Sequence, residues 1–369
     1  MTTVENQQGN LRLRKIELIN YENKYLNIQN LFREIEIIES IGSIWLYGEL
    51  TIEEQFNYRE NFPFIGKEKL HIVWDTGEET TIRDFTFIIT AIPNISETKT
   101  NEIYKYKLEF IHEDFANFLE AETYKKSFEN KTNSYMLETL FSNYNIITEN
   151  KVLNDTDTYS YIANSYDIIE TIEEIEYLSD DPKFIFQRGN NYLIYNIESL
   201  FAQQYVKKLS NVSIITEGDG NRNSIRGISK IEPMMRKDFY EDGINGYIHY
   251  DIDLFEEKYN LNDISLNVTN PKFDFVSSKR NVLTLKSSKF IEDYMLTDAI
   301  QAQMQIASSD LQIGDLIQLK YFLGQNDQKN ISKYSGFYLL YEIVHKIDVN
   351  FNYSMLLTLV RKDMSKSLF

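Results

Sequence analysis

The sequence contains no cysteine, which excludes disulfide bonds and cysteine-ligated metal sites. This absence fits a protein that is assembled in a reducing cytoplasm. Only 14 glycines and 5 prolines occur among 369 residues, which argues against a fibrous or low-complexity chain. The 26 tyrosines and 23 phenylalanines instead favour a protein that is rich in β-strands.

Basic residues are also scarce, because 38 Lys and Arg stand against 56 Asp and Glu, for a formal net charge of −18. DNA-binding surfaces need an excess of cations, so free duplex DNA is not an expected partner. No apolar run reaches the ~18 residues that a membrane span requires. Residues 1–10 lack a basic region and an apolar core, so we expect no secretory signal.

Motifs for catalysis or cofactor binding are missing as well. The sequence has no GxSxG motif, no P-loop and no dinucleotide fingerprint. Asp251 and Asp253 begin like a calcium loop, but glycine is absent at loop position 6. Among 56 acidic residues, a carboxylate pair of the glycosidase type would not stand out as a motif. We therefore expect a protein that is not an enzyme and holds no metal or cofactor. The histidines are scattered, and none forms an HExxH pair: His71, His112, His249 and His345.

Residues 11–112 alternate apolar and polar side chains in six or seven segments without a helical pattern. This pattern predicts an antiparallel barrel or sandwich. The doublet Ile37-Ile38 predicts a β-bulge, where the alternation changes face.

Helical spacing begins after residue 113. It predicts helices at 134–144, with Ser134 as N-cap, and at 166–178. Strands at 183–187 and 192–197 follow as a hairpin, so residues 113–202 form a small α/β module.

The C-terminal third returns to strands. They are predicted at 206–215 and 223–231, as two strands within 301–322, and as a long hairpin over 336–364. Asn350 and Asn352 are expected to supply the hairpin turn, because short amides tolerate left-handed dihedrals. Residues 233–299, which include a possible strand at 282–286, are interpreted as an insertion.

Three stretches carry a resemblance to a known family. The first stretch contains Glu39-Ser40-Ile41, Gly48-x-Leu50-x-Ile52 and Pro63-x-Ile65-Gly66-x-Glu68-x-Leu70-x-Ile72. The second is a strand of the form K-F-x-F at 183–186. The C-terminal stretch matches at Leu311, Gly314, Asp315, Tyr338, Val344, His345, Leu357, Leu359, Val360 and Arg361. Together these residues resemble the tail hub family, which includes the baseplate hub of T-even-like phages and the hub part of type VI secretion spike proteins.

The resemblance implies a mainly β, α+β protein with two antiparallel β-barrel tail-hub domains around a small α/β module. Its domains would be 1–112 (first barrel), 113–202 (module), 203–232 with 300–369 (second barrel), and 233–299 (insertion in the second barrel). The barrels are expected to superpose as separate sheets.

The function implied is that of a structural baseplate hub in a phage tail or contractile injection system. Such a hub is a homotrimeric ring that adapts the six-fold tail tube to the three-fold central spike and forms an axial conduit. Expected partners are tube or tube-initiator proteins, the spike, the tape measure and wedge proteins, with DNA only passing through. The location would be the virion baseplate, assembled in the host cytoplasm. The alternative is a carbohydrate- or receptor-binding tail protein with Trp45 or Tyr47 as an exposed stacking platform.

Two sets of site residues follow from the hub interpretation. Alternating amides are expected to face the channel: Gln301, Gln303 and Gln305. A ring of acidic chains also needs basic side chains at its subunit contacts, and the candidates are Lys125, Lys126, Lys207, Lys208, Arg361 and Lys362.

Overall fold

The computed structural model describes residues 11–55, 68–75, 82–93, 95–98, 103–121, 125–147, 156–163, 168–176, 178, 183–204, 207–211, 224–233, 247–253, 258–264, 272–277, 298–304, 311–323 and 331–361. It is mainly antiparallel β-structure with four short helices among these residues. The expected fold class is therefore confirmed. No helix in the described part of the chain is long and apolar enough to cross a membrane.

The N-terminal strands surround one hydrophobic core. Alternate residues point inward, so Leu50 and Ile52 are fully buried while Glu49 and Thr51 face outward. Each such aliphatic side chain contributes about 1.5–3 kcal/mol on burial. The strands pair in the order β3-β4-β8-β6-β5-β1-β2. They are β1 Arg12–Ile19, β2 Tyr25–Asn27, β3 Phe32–Ser40, β4 Tyr47–Glu54, β5 Lys69–Asp75, β6 Arg83–Ala91, β7 Ile95–Thr98 and β8 Ile103–His112.

The central module has a second core, formed by two packed helices and a hairpin. Both predicted helices are confirmed, but the cap differs. Thr132 is the N-cap, and its hydroxyl accepts the backbone N–H of Tyr135 at 3.2 Å, whereas Ser134 is buried inside the helix. The elements are α1 Asp114–Ala121, β9 Phe128–Lys131, α2 Asn133–Leu140, β10 Ile146–Ile147, β11 Tyr159–Tyr161, α3 Ile168–Glu176, β12 Phe184–Arg188, β13 Asn191–Tyr195 and α4 Ile197–Ala202.

The C-terminal strands surround a third core. Six of them pair in the ring β15-β19-β22-β21-β20-β14, which a bridge between Ser210 and Ser224 closes into a barrel. Between β15 and β19 along the chain, strands β16, β17 and β18 form a separate sheet. The possible strand predicted at 282–286 lies outside the described residues. The strands are β14 Lys207–Ser210, β15 Ile225–Pro233, β16 Tyr247–Asp253, β17 Lys258–Ile264, β18 Lys272–Ser277, β19 Asp298–Met304, β20 Leu316–Lys320, β21 Gly336–Asp348 and β22 Tyr353–Arg361.

The expectation of two separate sheets is wrong. Residues 342–348 of β21 pair with β3, so the C-terminal hairpin and the N-terminal strands belong to one 14-stranded sheet. The 13-residue length of β21 makes this possible. Its first residues pair with β20, and its last residues reach the N-terminal core, where Ile347 is buried. A closed N-terminal barrel and the superposition of two barrels remain predictions.

Two local predictions also need correction. The pairing of β3 is irregular between Phe32 and Glu34 rather than at Ile37-Ile38. In the hairpin turn the left-handed residue is Phe351, with φ of 60°, and neither asparagine adopts that conformation. The carboxylate of Asp348 stabilises the turn, because it accepts the backbone N–H groups of Asn350 and Asn352 at 2.8 and 3.0 Å.

Candidate functional site at the joints between the cores

A buried ion cluster lies where the N-terminal and C-terminal halves meet. Arg83 on β6 donates from Nη1 to Glu39 Oε1 on β3, and His345 Nε2 on β21 lies 2.9 Å from the same oxygen. Arg83 Nη2 also donates to the carbonyl oxygen of Leu311 at 3.2 Å. Glu39 and His345 are 1% and 0% exposed. The cluster therefore links two strands of one half with a strand and a loop of the other.

The protonation states follow from this geometry. Burial alone favours the protonated form of Glu39, but the charge of Arg83 and the hydrogen bond from His345 outweigh it and lower the pKa of Glu39 to about 2. Burial lowers the pKa of His345 below its usual value of 6.5, so its imidazole is neutral at pH 7. Nε2–H then donates to Glu39, and Nδ1 accepts the hydroxyl of Tyr353 at 2.7 Å.

The cluster acts as a lock between the halves rather than as a reactive centre. Its members are enclosed, so a substrate has no access to them, while an ion pair broken inside a core leaves a costly uncompensated charge. Sequence reasoning identified Glu39 and His345 as motif residues and did not predict their contact. A signal was present, because Glu39 shares the parity of Ile35 and Ile37 and must point inward with them.

A second polar cluster joins the module to the C-terminal barrel. Arg188, at the end of β12, donates to Asp315 Oδ1 and Gln312 Oε1, each at 2.5 Å. Asp315 Oδ2 accepts the backbone N–H of Gln312 at 3.2 Å, and burial raises the pKa of Asp315. Gly314 has φ of +82°, and a Cβ there would lie 3.1 Å from Cζ of Phe186. The Leu-Gln-Ile-Gly-Asp segment therefore forms the tight turn on which the module docks.

A third contact joins the module to the N-terminal strands. The Gln187 side chain accepts the backbone N–H of Leu46 at 3.1 Å, and its own backbone N–H donates to the carbonyl oxygen of Ile44 at 2.9 Å. Each of the three pairs of cores is thus connected by buried or half-buried hydrogen bonds.

The predicted channel residues lie on one face of β19. Gln301 and Gln303 are half-buried, whereas Ala302 and Met304 between them are buried in the barrel core. The alternation is as predicted, and the position of these glutamines in a channel stays a prediction. Gln305 lies outside the described residues.

The predicted interface cations differ in exposure. Lys125, Lys126 and Lys208 are exposed, and Lys207 is half-buried. Arg361 is incompatible with the expected role, because it is 3% exposed and its guanidinium donates to the carbonyl oxygens of Ser335 and Lys333 at 2.9 and 3.0 Å. Its neighbour Lys362 lies outside the described residues.

The two aromatic residues proposed as sugar-stacking platforms in the glycan-binding alternative differ in their exposure to solvent. Trp45 is buried in the module core against Phe115 and Phe118, so it cannot stack on a sugar. Tyr47 is 38% exposed. Within the described residues, no group of three His, Asp or Glu side chains is placed to hold a metal ion.

No protein-family model matches the sequence, and the search of curated proteins finds no match. Solved structures do match. A tail protein from Neisseria meningitidis MC58 superposes with a TM-score of 0.58 at 12% identity, over 94% of this chain and 96% of that one. The 43 kDa tail protein of prophage MuSo2 from Shewanella oneidensis gives a TM-score of 0.52 at 10% identity, over 95% and 99%.

An E. coli type VI secretion component, c3393, matches 95% of this chain and 76% of its own length with a TM-score of only 0.44, a value too low to support an argument. The two tail proteins show that the chain has their fold along nearly its whole length. The predicted resemblance to tail proteins is therefore confirmed at the level of the fold.

Proposed function

We propose that the chain is a structural hub of a phage tail or contractile injection baseplate. The observation that carries this proposal is the fold shared with two tail proteins over 94% or more of each chain. The proposal keeps the division into 1–112, 113–202, 203–232 with 300–369, and 233–299. The chain has a mechanical role and is not an enzyme.

In this proposal three copies form a closed ring around the tail axis. Each chain offers two strand-rich units, so three chains offer six positions to a six-fold tube while presenting three-fold symmetry to a spike. Such a ring needs a head-to-tail interface that repeats by rotation. Tube, spike, tape measure and wedge proteins are the proposed neighbours, in a virion that is assembled in the host cytoplasm.

Charge sets a condition on this ring. Three chains of −18 each carry −54 together, and their repulsion extends over ~8 Å at physiological salt. Basic side chains must therefore meet acidic ones at the contacts. Because Arg361 is buried, the remaining candidates for these basic interface residues are Lys125, Lys126, Lys207, Lys208 and Lys362.

The test is to image the native particle by cryo-electron microscopy and count the copies of this chain. Three copies on the tail axis, between tube and spike, are expected. Six equivalent copies, or a position away from the axis, would contradict the hub proposal.

A further inference from the structure

Three polar side chains lie together at one end of the module core, and the protein encloses all of them. Asn133 is the first residue of α2, Glu176 is the last residue of α3, and Lys183 directly precedes β12. They are 0%, 6% and 1% exposed. Lysine and glutamate are almost never buried to this extent, so the group is a candidate for a chemical role.

The three residues extend apolar rows of the module core. On α2, side chains three or four positions apart lie on one face, so Asn133 continues the buried row of Leu137. Lys183 and Ile185 are two positions apart on an extended segment and share a side of the sheet. Ile185 and Leu137 belong to the same core, which Glu176 borders from α3. The amide and the lysine therefore point towards the same end of this core.

Hydrogen bonds show how closely the three residues approach each other. The carbonyl oxygen of Glu176 accepts the backbone N–H of Lys183 at 3.1 Å and Nδ2 of Asn133 at 3.4 Å. The Glu176 carboxyl accepts the backbone N–H of Ile185 at 2.9 Å. The side-chain amide of Asn133 and the backbone of Lys183 thus meet at one oxygen atom. The flexible four-carbon stem of a lysine that starts there can reach Cγ of Asn133.

The environment suits a reaction between the amine of Lys183 and the amide of Asn133. Burial raises the pKa of Glu176 to about 8, so at pH 7 its carboxyl is protonated and can give a proton to a leaving group. A lysine amine that is desolvated in an apolar pocket is activated as a nucleophile. A charge held inside a core is also costly, and a reaction that discharges the lysine removes this cost.

We propose that Lys183 and Asn133 are joined by an intramolecular isopeptide bond, which the folded chain forms by itself with Glu176 as the proton carrier. Nζ of Lys183 bonds to Cγ of Asn133, and the bond between Cγ and Nδ2 breaks. The Glu176 carboxyl gives its proton to the leaving nitrogen, takes one from the attacking amine and ends protonated as it began. Ammonium leaves with the charge of the lysine, so the step needs no oxidant, reductant or second substrate.

The product is an amide that cross-links the start of α2 to the start of β12 inside the module. The inference rests on the module alone and is independent of the proposed function. Because an amide does not titrate, its absence from a Glu176 variant would change stability by a constant amount. Any pH dependence caused by the carboxyl itself would be unaffected.

The experiment measures the intact mass of the purified full chain in denaturant. The wild type should be lighter than its sequence by the mass of one ammonia molecule. The variants Asn133→Ala and Lys183→Met should have the full mass of their sequences. Two matched controls change exposed residues of the same module, Asn143→Ala and Lys126→Met, and should keep the loss of ammonia.

A tryptic digest distinguishes the cross-link from cyclisation of an asparagine, which also releases ammonia. Trypsin does not cleave after an acylated lysine, so the peptide 132–151 should be found joined to the peptide 152–188. Its fragment spectrum should place the branch at Lys183. Linear peptides 132–151 and 152–183 from the wild type, in place of the branched one, would overturn the inference.

Two further variants test the chemistry rather than the fold. Asn133→Asp keeps an electrophilic carbon and should lose one water molecule instead of ammonia, which a merely structural asparagine would not predict. Glu176→Gln should retain its full mass while the fluorescence of Trp45, which lies in the module core, shows that the module is folded. A folded wild type with the full mass of its sequence, or a loss of ammonia that persists in Lys183→Met, would contradict the proposal.

Discussion

Glu176 provides a direct test of the energetics inside the module. It lies at the end of α3 with 6% exposure, and its Oε1 accepts the backbone N–H of Ile185 at 2.9 Å. Burial raises its pKa from 4.5 to about 8, with a smaller contribution from Glu173. A group whose pKa is raised on folding contributes stability that is complete below its unfolded pKa and is lost as pH rises through the folded value.

The substitution Glu176→Gln removes the ionisation and keeps the oxygen that accepts from Ile185. Each pKa unit corresponds to about 1.36 kcal/mol, so a shift from 4.5 to about 8 represents at most about 5 kcal/mol. Relative to the wild type, the variant should gain stability by that order between pH 4 and pH 9. The gain should develop between the two pKa values, because the unfolded carboxyl ionises there while the folded one stays protonated.

Urea unfolding followed by tryptophan fluorescence measures this difference. Trp45 lies in the module core and Trp74 in the N-terminal core, so Trp74→Phe in every variant leaves a probe that reports on the module. Glu120→Gln, at an exposed position on α1, is the matched control and should show no such dependence. A stability difference between Glu176→Gln and wild type that stays constant across this pH range would refute the reasoning.

Two further substitutions test the joints. Arg83→Met leaves the Glu39 carboxylate buried beside a neutral imidazole and should lower the free energy of unfolding by about 3–5 kcal/mol, as measured in urea. Adding Glu39→Gln should recover most of the loss, and a change below about 1 kcal/mol in the single variant would contradict the lock. In the same assay Gly314→Ala should cost roughly 1–2 kcal/mol for the left-handed backbone alone, and more in total, because its Cβ would also lie 3.1 Å from Cζ of Phe186. The control Gly189→Ala has a similar φ and nothing within 4 Å of its Cβ, so an equal loss there would assign the cost to backbone strain alone.

The sequence pattern was a good guide wherever a property depends on neighbours in the chain. Period-two alternation identified the inward faces of β4 through Leu50 and Ile52, and helical spacing located α2 and α3. It failed for α1 and α4. The six residues of α4 span fewer than two turns and show too few periods to stand out, whereas α1 is as long as α2, so length does not explain why it was missed.

Long-range pairing is a different problem, because periodicity shows which face of a strand is buried and not which strand lies beside it. The pairing of His345 on β21 with Ile37 on β3 joins residues some 300 positions apart. No pattern in the neighbouring sequence of either residue indicates this pairing. The alternation of β3 likewise indicated that the Glu39 side chain points inward, but it did not indicate the ion pair that Glu39 forms. Its partners come from β6 and β21, which only the folded chain brings together.

The shared strand β21 also has a consequence for synthesis of the chain. The edge of β3 that receives β21 is made early, and its partner follows about 300 residues later, a delay of roughly 15–60 s at ribosomal speeds. During that time an unpaired edge invites association with other nascent chains. The edge carries Glu34 and Glu36 on one face and Glu39 on the other, the last pointing inward. Inward-pointing charges are a known protection of sheet edges, so the carboxylate that later locks the joint would first keep the waiting edge from pairing with the wrong strand.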